Sequence, residues 1–188
     1  METEEENGKI RRKKKGLITV INTTIRKYDT KDTDIIADIF FNASLLAYPF
    51  FTRPALEQEK INVREIYLPA VETWVIEKQP VSATTGSAVS GENAEVVGFV
   101  SLMEKEVAAL FVAPEQQGQG YGQALMDKAV AEKGGELEVD VFKENSIGRN
   151  FYRRYGFVQI NESLHEPTGQ MCLRMKLGKS ETQPKEMP

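Results

Sequence analysis

The chain holds one cysteine, Cys172, and one histidine, His165, among 188 residues. A single thiol excludes a disulfide framework and suits a reducing compartment. A single imidazole excludes histidine-rich metal sites and leaves little material for a histidine-dependent hydrolase, so no metal is expected. No apolar run approaches the ~18 residues that a membrane-spanning helix needs. The N-terminal stretch "METEEENGKIRRKKKG" also lacks the apolar segment of a signal peptide. Positive charge is not in excess: the formal net charge is −4, which makes no whole-chain case for nucleic acid. These absences describe a cytoplasmic protein with neither membrane nor nucleic-acid partners.

What is present is ordinary for a globular domain, with 40% hydrophobic and 28% charged residues. Residues 1–16 are an acidic cluster followed by a basic one and have almost nothing to bury, so they are expected to be a disordered tail. The run "RRKKK" (Arg11 to Lys15) reads as solvated rather than as a nuclear-localisation or phosphate patch. Residues 179–188 form a second polar tail, which leaves 17–178 as one domain.

Within it, "LITVINTTIRKYD" is a β-branched first strand. Asp32 or Thr33 then caps a helix with apolar residues at helical spacing from Ile35 to Leu46. Pro54 opens a second helix that runs to about Tyr67. The strand "VETWVIEK", the loop "SATTGSAVSGENA" and a hairpin of "EVVGFVSLM" with "VAALFVA" follow. A helix over "QALMDKAVAEKG", a strand over "ELEVDVF", a helix over "SIGRNFYRRYG" and two final strands complete a mixed α/β order. In the last helix, Ile147, Phe151 and Tyr155 at i, i+4, i+8 are expected to form the buried stripe.

The stretch "PEQQGQGYGQALM" places Gly118, Gly120 and Gly122 between a strand end and a helix start. The first N–H groups of a helix lack intrahelical partners, and the helix dipole adds positive character there. Glycines let an anion approach them, so the place suits a phosphate or pyrophosphate. A tight turn with close helix–strand packing is the alternative. A P-loop is excluded, because no Lys-Ser or Lys-Thr follows. A dinucleotide fingerprint lacks its third glycine, residue 123 being Gln123, although Glu138 or Asp140 stands where the later acidic residue would.

The block "LFVAPEQQGQGYGQALM" resembles the acetyl-CoA-binding motif of the GNAT (Gcn5-related N-acetyltransferase) superfamily, with its Q/R-x-x-G-x-G/A signature at Gln117, Gly120 and Gly122. The second family motif is also matched by Asn145 and "FYRRYGF" at 151–157. Both blocks lie within residues 96–160. The resemblance implies a mixed, mostly antiparallel sheet of six to seven strands with about four helices, and acetyl-CoA in a gap between two splayed strands. It implies cofactor contacts from Leu110, Phe111, Val112, Gln117, Gly118, Gln119, Gly120, Tyr121, Gly122, Gln123, Asn145 and Tyr152. Arginine is common in the family where this chain has Gln117 and Gln119, so less side-chain charge is available to the pyrophosphate.

The activity implied is acetyl transfer from acetyl-CoA to a primary amine in a ternary complex, by a monomer or homodimer. The alternatives are a non-catalytic acyl-CoA sensor or partner domain, and a dinucleotide-binding protein. By the resemblance, a backbone N–H near Val112 polarises the thioester carbonyl and Tyr152 protonates the departing thiolate. Glu106, eleven residues before Gln117, stands where one branch of the family carries its general base. Strand alternation would put Glu106 on one face with Ala108, Leu110 and Val112. With Glu104 and Lys105 it reads equally as a solvated turn. Asn145 is a helix N-cap or a cofactor contact. "AYPFF" (Ala47 to Phe51) is a candidate lining of the amine site, His165 a second-choice base in a polar loop, and Cys172 a core residue.

Overall fold

The computed structural model describes residues 9–14, 17–79 and 94–178, with side chains from residue 23 onward. Its strands are β1 (Lys9–Lys14), β2 (Leu17–Lys27), β3 (Glu72–Lys78), β4 (Glu95–Met103), β5 (Glu106–Val112), β6 (Glu138–Phe142), β7 (Phe157–His165) and β8 (Gln170–Leu177). They form one sheet in the order β1-β2-β3-β4-β5-β6-β8-β7. Every neighbouring pair is antiparallel except β5 and β6. That arrangement rules out the doubly wound parallel sheet of the dinucleotide-binding alternative. Strands β2 to β8 are the seven expected. The eighth corrects the tail boundary: Lys9–Lys14 pair with Leu17–Asn22 as a hairpin. The rest of the expected tails, and nearly all of the loop over 82–94, lie outside the described residues.

The helices are α1 (Thr33–Ala47), α2 (Arg53–Asn62), the single turn α3 (Leu68–Ala70), α4 (Tyr121–Lys133) and α5 (Ser146–Tyr155). Two details of the α1–α3 region differ from expectation. Asp32 stands at the N-cap of α1 as expected but makes no side-chain cap bond there; the side-chain cap is made one turn earlier by Asp29, whose carboxylate accepts from Lys31 N at 3.2 Å at the start of a 3₁₀ turn. Asp32 is instead drawn inward, accepting from Asp29 N and from both guanidinium arms of Arg26 at 2.6 and 2.9 Å. The second helix is not uniform to Tyr67 either, because Val63–Tyr67 widen into a π-helical turn before Leu68.

Two cores pack on opposite faces of the sheet. On one face Tyr121, Leu125, Met126 and Ala129 of α4 and Tyr152 of α5 meet Val100, Leu102, Val139 and Met175. On the other, Ile36 and Ile39 of α1 meet Val75, Phe99 and Ala113. Leu125, Met126 and Ile36 are fully buried, and each contributes roughly 1.5–3 kcal/mol of transfer free energy. The α4 side chains hold that helix across β4 and β5, which fixes where its N-terminus points.

A cleft between two diverging strands

Strands β5 and β6 pair only at Glu106↔Glu138. Beyond that point β6 follows its antiparallel partner β8, while β5 stays on β4, so the two strands part. The gap opens into a cleft of about 1130 Å³ between α4, α5 and the end of α1. One edge of β5 is left unpaired along it. Ala113 N donates to Val97 O at 2.9 Å. In an antiparallel ladder alternate residues turn the other way, so the N–H and C=O groups of Leu110 and Val112 face the gap. Of these, Val112 O accepts from Gln117 Nε2 at 3.1 Å.

The glycine turn closes one end. Gly118 (φ +70°) and Gly120 (φ +92°) occupy left-handed backbone that suits glycine. Gly122 has another reason: a Cβ there would sit 3.2 Å from Phe151 Cε2 of α5. No side chain caps Gly120 and no acidic residue lies in the first turn of α4. The dipole of that helix therefore presents its positive end to the cleft.

All the expected cofactor contacts line this cleft except Gln119, whose amide turns away to Glu115 O and Gln116 Oε1. Asn145 is buried and caps α5, its Oδ1 accepting from Gly148 N at 2.8 Å. The stripe expected on α5 is corrected: Ile147 is 46% exposed, Phe151 and Tyr155 are half-buried, and Tyr152 is 7% exposed. Helix α5 turns Tyr152 toward the sheet, its ring 5.2 Å from Phe151 and 5.3 Å from Phe157. Phe151 and Tyr155 instead face α4, where the Tyr155 hydroxyl donates to Asp127 at 2.6 Å. The Tyr152 hydroxyl has no such partner among the described residues. Burial raises its pKa, with Tyr48 adding to the effect.

Glu106 also departs from the alternation expected of it. Ser101 pairs with Ala109 and Leu102 with Val107, leaving Ala108 as a bulge. Val107 thus joins Leu110 and Val112 on the α4 side, and Glu106 no longer shares their face. Its Oε2 accepts from Arg174 Nη1 at 3.0 Å, and Arg174 also binds Glu138 and Asp140 at 3.0 and 2.9 Å. Burial opposes the Arg174 charge, but the hydrogen bonds to Glu106 and Glu138 outweigh it and raise the guanidinium pKa.

The other end of the cleft is aromatic. Tyr48, Phe50 and Phe51 pack edge-on around Phe142 at 5.4–5.7 Å between centroids. Tyr48 lines the cleft, and burial pushes its phenol up to about 12, with Cys172 nearby. Cys172 is buried as expected, with its thiol pKa raised by burial. His165 is not in a loop: it is the last residue of β7 and borders the cleft, its ring 5.6 Å from Phe142. Tyr48 and Phe142 are among the lining residues that sequence reasoning misses or leaves as a general aromatic patch. The aromatic density of 47–51 was the only signal for the first, and no pattern singled out the second.

Residues 70–159 match the family model described as an acetyltransferase (GNAT) domain. The chain is 29% identical over 134 residues to the peptidyl-lysine N-acetyltransferase YiaC of Escherichia coli (strain K12), which covers 71% of this chain and 82% of that protein. The solution structure of apo-form YjaB from Escherichia coli superposes with a TM-score of 0.67 at 22% identity, covering 82% of this chain and 97% of that one. The PaiA N-acetyltransferase of Thermoplasma acidophilum, solved in complex with coenzyme A, gives a TM-score of 0.57 at 18% identity, over 82% and 98%.

Proposed function

The chain belongs to the GNAT superfamily of N-acetyltransferases, and from that premise we propose that it moves the acetyl group of acetyl-CoA directly to a primary amine held in the same cleft. The observation that carries this reading is the unpaired edge of β5 beside an uncapped helix start. The fit to acetyl-CoA is chemical. The pantetheine arm has peptide-like amides that can pair with the Leu110 and Val112 groups as an added strand would. The pyrophosphate suits the N–H groups from Gly118 to Gln123, where a glycine-lined turn admits it. With Gln117 engaged on Val112 O and Gln119 turned away, that contact rests on main-chain atoms and the helix dipole.

Three groups of this chain are assigned roles. The Val112 N–H, aimed into the gap, donates to the thioester carbonyl oxygen and stabilises charge developing there. The Tyr152 hydroxyl, on a residue 7% exposed that lines the cleft and without a hydrogen-bond partner among the described residues, holds the proton that the thiolate leaving group needs. Burial keeps that proton in place at neutral pH. The amine enters from the aromatic end between Tyr48 and Phe142. The relative YiaC is a peptidyl-lysine N-acetyltransferase, and a protein lysine is the acceptor we propose here. A cytoplasmic location belongs to the same proposal, in keeping with a single, buried cysteine.

The test is calorimetric titration with acetyl-CoA, followed by thiol-release assays over a panel of lysine peptides and small amines. Saturable binding with amine-dependent thiol release is expected. Gly120→Glu should abolish binding, because it puts a side chain at φ +92° and a negative charge against the pyrophosphate. Binding without thiol release for any amine would leave an acyl-CoA-binding module rather than an enzyme. Undiminished affinity in a folded Gly120→Glu protein would refute the placement of the pyrophosphate.

A further inference from the structure

Four side chains on the cleft are able in principle to take a proton from an incoming amine: Glu106, Asp127, Asp140 and His165. Three are engaged. Glu106 and Asp140 both accept from Arg174, at 3.0 and 2.9 Å, and Asp127 accepts the Tyr155 hydroxyl at 2.6 Å. Each of these carboxylates is tied at one oxygen to a neighbouring side chain and keeps its second oxygen. His165 is the one imidazole among the four, and its one hydrogen bond leaves the other ring nitrogen without a partner among the described residues. Its Nδ1 lies 2.8 Å from Thr168 Oγ1. That hydroxyl also lies 3.4 Å from His165 O and accepts from Gln170 N at 3.4 Å. When Nδ1 donates to that hydroxyl, Nε2 carries the lone pair. Phe142, edge-on at 86°, fixes the plane of the ring.

We infer that His165 is the proton acceptor for the amine, with Thr168 as the positioning residue that selects its tautomer. The inference rests on the acetyl-transfer reading above. The acceptor ammonium passes one proton to His165 Nε2. The freed nitrogen lone pair then forms the C–N bond to the acetyl carbon, and the C–S bond breaks with its electron pair on sulfur. Sulfur takes the Tyr152 proton, and the surplus proton on the new amide nitrogen restores the phenol. His165, exposed at the rim, returns its proton to water. The net products are the acetylated amine, the free thiol and one proton.

The experiment compares wild type, His165→Gln, Thr168→Val and Glu106→Gln in thiol release. Lysine peptides serve as one class of acceptor and methoxyamine, already neutral at pH 7, as the other. His165→Gln should lower kcat with the peptides by about 10²-fold or more, the usual size of a general-base term. Acetyl-CoA affinity and melting temperature should not change, since the side chain is exposed. The deficit should nearly vanish with methoxyamine, which has no proton to surrender before attack, and added imidazole should restore part of the lost rate. Thr168→Val should show a smaller deficit with the same dependence on acceptor. A His165→Gln deficit equal for both acceptors would mean a structural role and overturn the inference. So would a deficit confined to Glu106→Gln. Absence of thiol release from wild type with every amine would instead refute the acetyl-transfer reading, and this inference with it.

Discussion

Replacing Tyr152 with phenylalanine removes a single oxygen from the floor of the cleft. The ring stays where Phe151 and Phe157 hold it, at 5.2 and 5.3 Å, and the residue remains buried. The hydroxyl makes no hydrogen bond to the described residues, so its loss breaks none. Stability should change by less than about 1 kcal/mol, a shift of no more than about 2–4 °C in a chain of this size. The cost falls on the chemistry. A general-acid contribution of about 10²–10⁴-fold corresponds to about 2.7–5.4 kcal/mol of barrier. The assay is steady-state thiol release at saturating acetyl-CoA, with calorimetry to confirm that affinity for the co-substrate is unchanged. Tyr155→Phe is the matched control. It too loses one hydroxyl from α5, but one tied to Asp127 at 2.6 Å, so its kcat should stay close to wild type. Burial holds the Tyr152 pKa above its ordinary value near 10. Its ionisation should therefore contribute no loss of wild-type activity below about pH 10. Equal turnover by the two variants would refute the reasoning and make Tyr152 a packing residue.

Two further outcomes concern stability. Asp32 is 4% exposed and joins Arg26 in a bridge whose Arg26 side is 28% exposed, so Asp32→Ala should cost about 2–4 kcal/mol in chemical denaturation, below the full cost of breaking a wholly buried pair. Burial alone would raise the Asp32 pKa, but the hydrogen bonds from Arg26 and Asp29 N outweigh it and lower the value. A lowered folded-state pKa means stability that is present above the unfolded value of about 3.9 and lost as pH falls through the folded one. Wild type should therefore lose more stability than Asp32→Ala between about pH 4 and pH 2, as read by denaturation midpoints. Deleting residues 1–16 removes β1, which pairs only with the 17–22 part of β2, and leaves Thr23–Lys27 on β3. Its melting temperature should fall by no more than the ~2–4 °C equivalent to 1 kcal/mol, and a larger fall would show that the hairpin is part of the core.

Much of the fold was legible because it rests on local rules. Strand and helix periods, Gly134 and Gly156 at the helix ends, and the hairpin at Glu104–Lys105 all follow from short-range sterics and hydrogen bonding. Patterns failed where a partner elsewhere in the chain decided the outcome. A helical window reads Asp32 as a cap because Arg26 lies outside it, yet Arg26, itself held by Glu77, draws the Asp32 side chain inward. The α5 stripe differs from expectation because i, i+4 spacing identifies an apolar face but not which neighbour it meets, and here that neighbour is α4 rather than the sheet. One extra residue at Ala108 reversed the face assigned to Glu106, since a bulge shifts every side chain before it by one position.

The sequence by itself determined the glycine turn: three glycines after a strand, followed by a helix start, set main-chain groups that need no distant partner. It also carried the resemblance to the acetyl-CoA motif and the place of Tyr152 within it. Only the tertiary structure decided which side chains are free to act. The divergence of β5 from β6 after one pairing opens the cleft, and Arg174 binds two of its carboxylates while Thr168 orients its one imidazole. Availability of a proton acceptor depends on what else lies within hydrogen-bond distance, and in this chain those neighbours are brought together across as many as 68 positions of sequence.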